Sequence, residues 1–279
     1  MLILGGVLAV LCGVANSVAA GLQKSEGVRV TADTGISGMR LVTVLVRRGR
    51  WLVANAIGAL GWVAEAAALA LAPVPLVTSL RSLGRGGLVV AGHRWLGERF
   101  TRLEVGGIAG LAIGGIITAS SVWAAKSAAA PLPDWVELVV AAAAAALAGL
   151  FARSKSGIVL GSAVGILFAA TGVFTKEVGD RFSRQGISAL GGLLASPGPW
   201  LMVALTVWAV SILQKAFSVS NTATVSATNA TVSSVGLIVA VEFLYRQRLA
   251  AANNVPLLVL GIIVSAAGCV AMVVGARPS

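Results

Sequence analysis

The chain has 279 residues, 57% of them apolar and only 11% charged, with a mean hydropathy of +0.93. A soluble domain carries about 25% charged residues, and a disordered chain has low hydrophobicity, so both classes are excluded. The net charge of +11 does not mark a nucleic-acid binder, because the basic residues fall between apolar stretches; Cys12 and Cys269, each inside an apolar run, and a single histidine, His93, exclude a disulfide framework and a multi-histidine metal site.

A lipid-spanning helix needs about 20 mostly apolar residues. In chain order the segments that qualify are Leu2–Leu22, Trp51–Ala72, Val74–Gly92, Val105–Trp123, Trp135–Phe151, Gly157–Val178, Pro199–Phe217, Val219–Phe243 and Val255–Gly275. The expected fold class is therefore all-α: a polytopic membrane protein of about nine transmembrane helices. The first run lacks a basic flank and is long for a signal peptide, so it is expected to be retained as a span. Trp51, Trp95, Trp123, Trp135 and Trp200 fall at or just beyond span ends, where amphipathic rings settle among headgroups. Trp62 and Trp208 fall mid-span and are expected to face protein.

Lys24 to Arg50 is the longest interruption. Its apolar part, Met39–Val46, is only about 12 Å long as a helix. It reads as an interfacial amphipathic segment, with a distorted tenth span as the rival. Nine spans place Lys24, Arg29, Arg40, Arg47, Arg48, Arg50, Arg94, Arg99, Arg102, Arg153, Lys155 and Arg277 on one side. Lys126, Lys176, Arg181, Arg184, Arg246 and Arg248 fall on the other. The side richer in Lys and Arg is cytoplasmic. This puts the N-terminus outside and the C-terminus inside a cell membrane.

The two halves resemble each other. Gly5, Ala9, Gly13 and Ser17 form a small-residue stripe that returns as Gly157, Gly161, Gly165 and Ala169, about 150 residues later. Lys24 and Lys176 then close both helices. Gly35-Ile36-Ser37 returns as Gly186-Ile187-Ser188, Trp51-Leu52 as Trp200-Leu201, and Gly87-Leu88-Val89-Val90-Ala91 as Gly236-Leu237-Ile238-Val239-Ala240. The expected organisation is one membrane domain: a four-helix repeat over 1–125, a linker helix over 126–152 and a second four-helix repeat over 153–279. Five crossings separate the starts of the two repeats, so the second is inverted. Inverted repeats are the usual scaffold for alternating access around a midplane site.

Charges deep inside spans are few: Glu65, Arg81 and Arg85, with Lys215 near an end. Each costs about 2.5–3.5 kcal/mol on insertion scales unless paired or solvated. Spans two and three turn at Pro73–Pro75, which places Glu65 and Arg81 both about 10–14 Å below the turn. They can meet as a structural ion pair that locks the hairpin. Alternatively, two arginines against one glutamate make a site with surplus positive charge. A guanidinium fits carboxylate or phosphate, so the partner of Arg85 is expected to be an anionic or zwitterionic metabolite. Glu65 is also the expected carrier of any coupling proton. In the second half Gln214 occupies the position of Glu65, and the eighth span is rich in Ser, Thr and Asn. Asn221 and Asn229 share a face of it and complete the expected substrate site of Glu65, Arg81, Arg85, Gln214, Asn221 and Asn229. No catalytic residue, cofactor or metal is expected. Gly106, Gly110 and Gly114 form a small-residue ridge that either packs the halves together or makes a homodimer.

Ala72-Pro73-Val74-Pro75-Leu76-Val77, followed by Leu96-Gly97-Glu98-Arg99 and then a Gly-rich helix, resembles the EamA-type repeats of the drug/metabolite transporter superfamily. The nine-span layout and Gln214-Lys215-Ala216-Phe217 are similar to its NIPA-like magnesium-transporter branch. The resemblance covers nearly the whole chain and implies secondary transport of a small metabolite, or of magnesium in the NIPA-like branch. The chain departs from the small multidrug relatives, which carry a glutamate in the first helix where this one offers Asn16. It also carries Arg81 and Arg85 in a third span that relatives leave uncharged. Magnesium prefers carboxylates, and Glu65 is the one deep acid, so an anionic or zwitterionic cargo is the leading expectation. Magnesium transport is the alternative; a flippase for a lipid-linked anion and a membrane-embedded enzyme rank lower. The expected partners are a small-molecule substrate and the bilayer, and no nucleic acid.

Overall fold

In hydrocarbon every backbone polar group must be bonded within the chain, and this chain does so with helices. A computed structural model describes residues 1–35, 39–84, 101–121, 132–220, 222–245 and 254–275. Among them the helices are α1 (Leu2–Thr34), α2 (Met39–Leu45), α3 (Gly49–Leu71), α4 (Val74–Leu83), α5 (Arg102–Ser121), α6 (Asp134–Phe151), α7 (Gly157–Gln185), α8 (Ala189–Ala195), α9 (Pro197–Val219), α10 (Thr222–Tyr245) and α11 (Val255–Gly275). A 3-10 turn, Gly186–Ser188, joins α7 to α8. Seven helices are long and apolar enough to cross a membrane: α1, α3, α6, α7, α9, α10 and α11. The fold is all-helical among the described residues.

Two boundaries depart from expectation. Lys24 and Lys176 do not end their helices. α1 runs for 33 residues, about 50 Å, and α7 for 29. Both lysines are buried, and their ammonium groups lie over aromatic rings, Lys24 over Phe217 and Lys176 over Tyr245. What ends each helix is a glycine at positive φ: Gly35 at 67° and Gly186 at 59°. Only glycine enters that region without a Cβ penalty. Trp51 also departs from expectation. It is buried with Val30, Leu41 and Leu45, because α2 folds its two leucines under the end of α1. Arg40 and Thr43 of α2 stay exposed, so this seven-residue helix is amphipathic and far too short to span.

α1 packs on α3 and α4, and α4 on α5; α7 packs on α9 and α10, and α10 on α11. Between the two sets, α3 meets α7, α1 meets α9, α4 meets α10 and α5 meets α11. The α5–α11 contact is the tightest. Gly107, Gly110 and Gly114 receive Gly268, Met272 and Ser265, and a methyl at Gly268 would sit 2.6 Å from the Gly107 carbonyl oxygen. Of the expected ridge Gly110 and Gly114 pack within the chain, but the third member is Gly107 rather than Gly106, which faces open space. α5 begins with a reciprocal cap: Thr101 N donates to Glu104 Oε2 at 2.7 Å, and Glu104 N to Thr101 Oγ1 at 3.2 Å. α7 is the central helix, with 72% of its apolar window buried, against 22% for α6 at the edge. Trp62 and Trp208 face protein as expected: Trp62 Nε1 donates to Thr175 Oγ1 of α7 at 2.8 Å, and Trp208 packs over Gly149 of α6.

Candidate functional site

Ala72 and Pro73 turn the chain between α3 and α4, and Glu65 and Arg81 meet across the hairpin at similar depth. Arg81 Nη1 donates to Glu65 Oε1 in a largely buried ion pair. α1 forms the third wall. Cys12 Sγ lies 3.7 Å from Glu65 Oε2, and Asn16 Nδ2 donates to Cys12 Sγ at 3.2 Å. Gly13 makes this approach possible: a methyl there would lie 2.1 Å from the Arg81 carbonyl oxygen. The Arg81 side chain therefore points toward α1 and α3.

The other expected site residues are not gathered around this pair. Arg85 and Asn221 lie outside the described residues. Gln214 of α9 is buried against Gly27 of α1, with its Nε2 unpartnered. Gly27 is about 17–22 Å along α1 from Asn16 and Cys12, so Gln214 does not join Glu65. Asn229 of α10 is half-buried; its Oδ1 has no partner and its carbonyl oxygen packs near Gly165 of α7.

On the other side of α4 there is a cavity of about 60 Å³, where α4 and α5 meet α10 and α11. A water needs about 10–15 Å³ on this measure, so the space takes several water-sized groups. Thr78, Ser79, Thr118, Thr231, Ser234 and Ser265 line it, together with Leu111 and other apolar side chains. Thr78 and Thr118 donate back to their own helices, to Val74 O at 3.0 Å and Gly114 O at 2.9 Å. Thr231 Oγ1 and Ser234 Oγ are buried without a partner. A buried hydroxyl without a partner costs about 1–3 kcal/mol, so these two are poised to bond whatever enters. Thr78 and Ser79 bring the cavity within one turn of Arg81.

The sequence points to Asn221 and Asn229 rather than to this hydroxyl pair, which looks like ordinary helix-packing polarity. Its one sequence clue is three-residue spacing, which puts Thr231 and Ser234 on one face of α10.

Fold and site together define a helical chain compatible with an integral membrane protein, with a small, largely apolar cavity edged by hydroxyl groups between its helices. No family model matches the chain, and neither a curated protein nor a solved structure is significantly similar to it.

Proposed function

We propose that this protein is a secondary transporter that moves a small anionic or zwitterionic metabolite across a cell membrane by alternating access. The carrying observation is the hydroxyl-lined cavity where α4 and α5 meet α10 and α11. The architecture proposed around it is two inverted four-helix units and a linker helix, nine crossings in all. Several facts support it. Each half has a long helix ending at a positive-φ glycine, then a seven-residue helix, then a 23-residue helix. The main contacts within the halves correspond, α1–α3 with α7–α9, α1–α4 with α7–α10 and α4–α5 with α10–α11, and between the halves α1–α9 pairs with α3–α7. The cavity lies where corresponding helices face each other, the place a midplane site occupies in an inverted-repeat transporter. The basic loops orient the N-terminus outward.

In this reading Thr231 and Ser234 bond the cargo's polar groups. The Glu65–Arg81 pair lies on the opposite side of α4, where it holds the hairpin that forms one wall of the cavity. The test is counterflow in proteoliposomes with a panel of radiolabelled amino acids and small carboxylates. A Thr231→Val/Ser234→Ala variant is expected to lose flux about tenfold, from two hydrogen bonds of about 0.5–1.5 kcal/mol each, with its melting temperature raised, because two unpartnered buried hydroxyls are removed. The reading fails if no member of the panel exchanges, or if the double variant carries it like the parent.

A further inference from the structure

Away from Glu65 and Arg81, the C-terminal half of α7 gathers a second set of buried charges. Lys176 is 0% exposed, Glu177 4% and Asp180 9%. Lys176 Nζ donates to Asp180 Oδ2 at 2.8 Å; Arg181 Nη2 and Nε donate to Glu177 Oε1 at 2.5 and 3.1 Å. Each cation is thus bonded to an acid one turn away on its own helix. The linker helix α6 then brings in Glu137, 1% exposed, with its carboxyl within hydrogen-bonding reach of the Glu177 carboxyl. Three buried acids now face two buried cations.

At the rim α6 adds Asp134, and α7 adds Arg184, exposed but close enough to favour the Asp180 carboxylate. α9 closes the site with backbone: a methyl at Gly198 would lie 2.9 Å from Glu137 Oε1. α10 contributes Tyr245, whose hydroxyl is buried without a partner. Glu137 Oε2 and Glu177 Oε2 are likewise buried with no donor to accept from. Two ionised carboxylates in this position repel each other and leave both of these oxygens without a donor. One proton between them relieves the repulsion and supplies a donor.

We propose that Glu137 and Glu177 form a proton-binding dyad that holds one shared proton, and that this proton is the coupling ion of the transport cycle. The second half rests on the transporter reading; the first does not. When the proton leaves to water, two carboxylates face each other across the α6–α7 contact. α6 is the edge helix and the covalent link between the halves, so their repulsion loosens the element that ties the halves together. The coupling site is then Glu137 and Glu177 rather than Glu65, whose charge Arg81 already balances.

The test uses the full chain in lipid vesicles with the proton itself as the probe and no cargo. Infrared difference spectroscopy is expected to show a protonated-carboxyl band at neutral pH that disappears on alkaline titration and is absent in Glu137→Gln. A parent protein without the band, or a variant that keeps it, overturns the dyad. Hydrogen–deuterium exchange in the same vesicles is expected to quicken at least threefold in α6 as the band disappears, and to be pH-insensitive in Glu137→Gln. An equal pH response in both proteins overturns the coupling role. If Glu137→Gln fails to fold, Glu177→Gln serves, with the same loss of band expected. Neither readout needs a cargo, so an empty counterflow screen counts against the transporter reading alone.

Discussion

The C-terminal ends of α1 and α7 are built alike but carry different charge. Each bears a buried lysine over an aromatic ring, then an acid, then a glycine at positive φ. At the end of α1 the acid, Glu26, is approached by Arg29 at 3.7 Å and Arg50 at 3.5 Å, both mostly exposed. Only the arginine side of these two long contacts is exposed; Glu26 itself is buried, and its Oε1 accepts no hydrogen bond. At the end of α7 the pairs are buried and short, and a third acid arrives on α6. α6 packs on α7 and α9. One scaffold thus yields an end whose arginines stand in solvent and an end whose ion pairs are short and sheltered. The difference comes from the charged residues of α7 itself and from where the linker helix lies.

Removing each lysine is the strongest way to break this comparison. Lys176→Met leaves Asp180 buried without its 2.8 Å donor, and truncating one partner of a buried pair costs about 3–5 kcal/mol. Lys24→Met forfeits, beside its other interactions, a contact with the Phe217 ring worth about 2 kcal/mol when desolvated, at a site less deeply buried than that of Lys176. Thermal unfolding in detergent micelles should therefore show a clearly larger loss for Lys176→Met. Equal losses would mean that the two ends have the same electrostatics.

The terminating glycines sharpen the comparison on a smaller scale. Gly35 has φ 67° and ψ 5°, in the left-handed helical region; Gly186 has φ 59° and ψ −140°. The first region admits other residues for about 1–2 kcal/mol, whereas the second lies close to territory used almost only by glycine. Nothing lies within 4 Å of a methyl at either position, so backbone strain alone decides the outcome. Gly186→Ala is expected to cost more than Gly35→Ala, and Gly35→Asn to be nearly neutral, in the same unfolding assay. A reversed order would show that the two helices end by different means.

Hydropathy and length made most of the spans legible. Val255–Gly275 is a helix with the bounds read from the sequence, and α6 starts one residue earlier than expected. Glu65 and Arg81 were legible as a pair because a tight hairpin sets two residues equally far from its turn at equal depth. The ends of α1 and α7 were not, because a lysine reads as a membrane border unless its partners are known. Phe217 and Tyr245, which shelter Lys24 and Lys176, come from other helices. The Glu137–Glu177 contact was hidden for the same reason: the two acids are about 40 residues apart, and each stands near a span end where charges are ordinary. The cavity hydroxyls were hidden because serine and threonine commonly bond their own helix, as Thr78 and Thr118 do.

The smallest expected effect concerns the contact that ties the first half to α7. Trp62 Nε1 on α3 donates to Thr175 Oγ1, one residue before the buried lysine, and Thr175 donates in turn to Thr171 O at 2.8 Å. At the corresponding place in the second half stands Ser211 of α9, whose hydroxyl bonds Val207 O of its own helix. Gln23, one residue before Lys24, bonds Asn55 of α3. The Trp62–Thr175 tie therefore lies next to the buried charges of α7. Trp62→Phe keeps the ring packing and removes one hydrogen bond, a loss of about 0.5–1.5 kcal/mol. The same step leaves Thr175 bonded to Thr171 O, so no buried donor is stranded. If the tie also holds α7 in register for Glu137, the variant should bleach the shared-carboxyl infrared band at a lower pH than the parent. A stability loss with the band unmoved would confine Trp62 to packing and leave the dyad dependent on α6 alone.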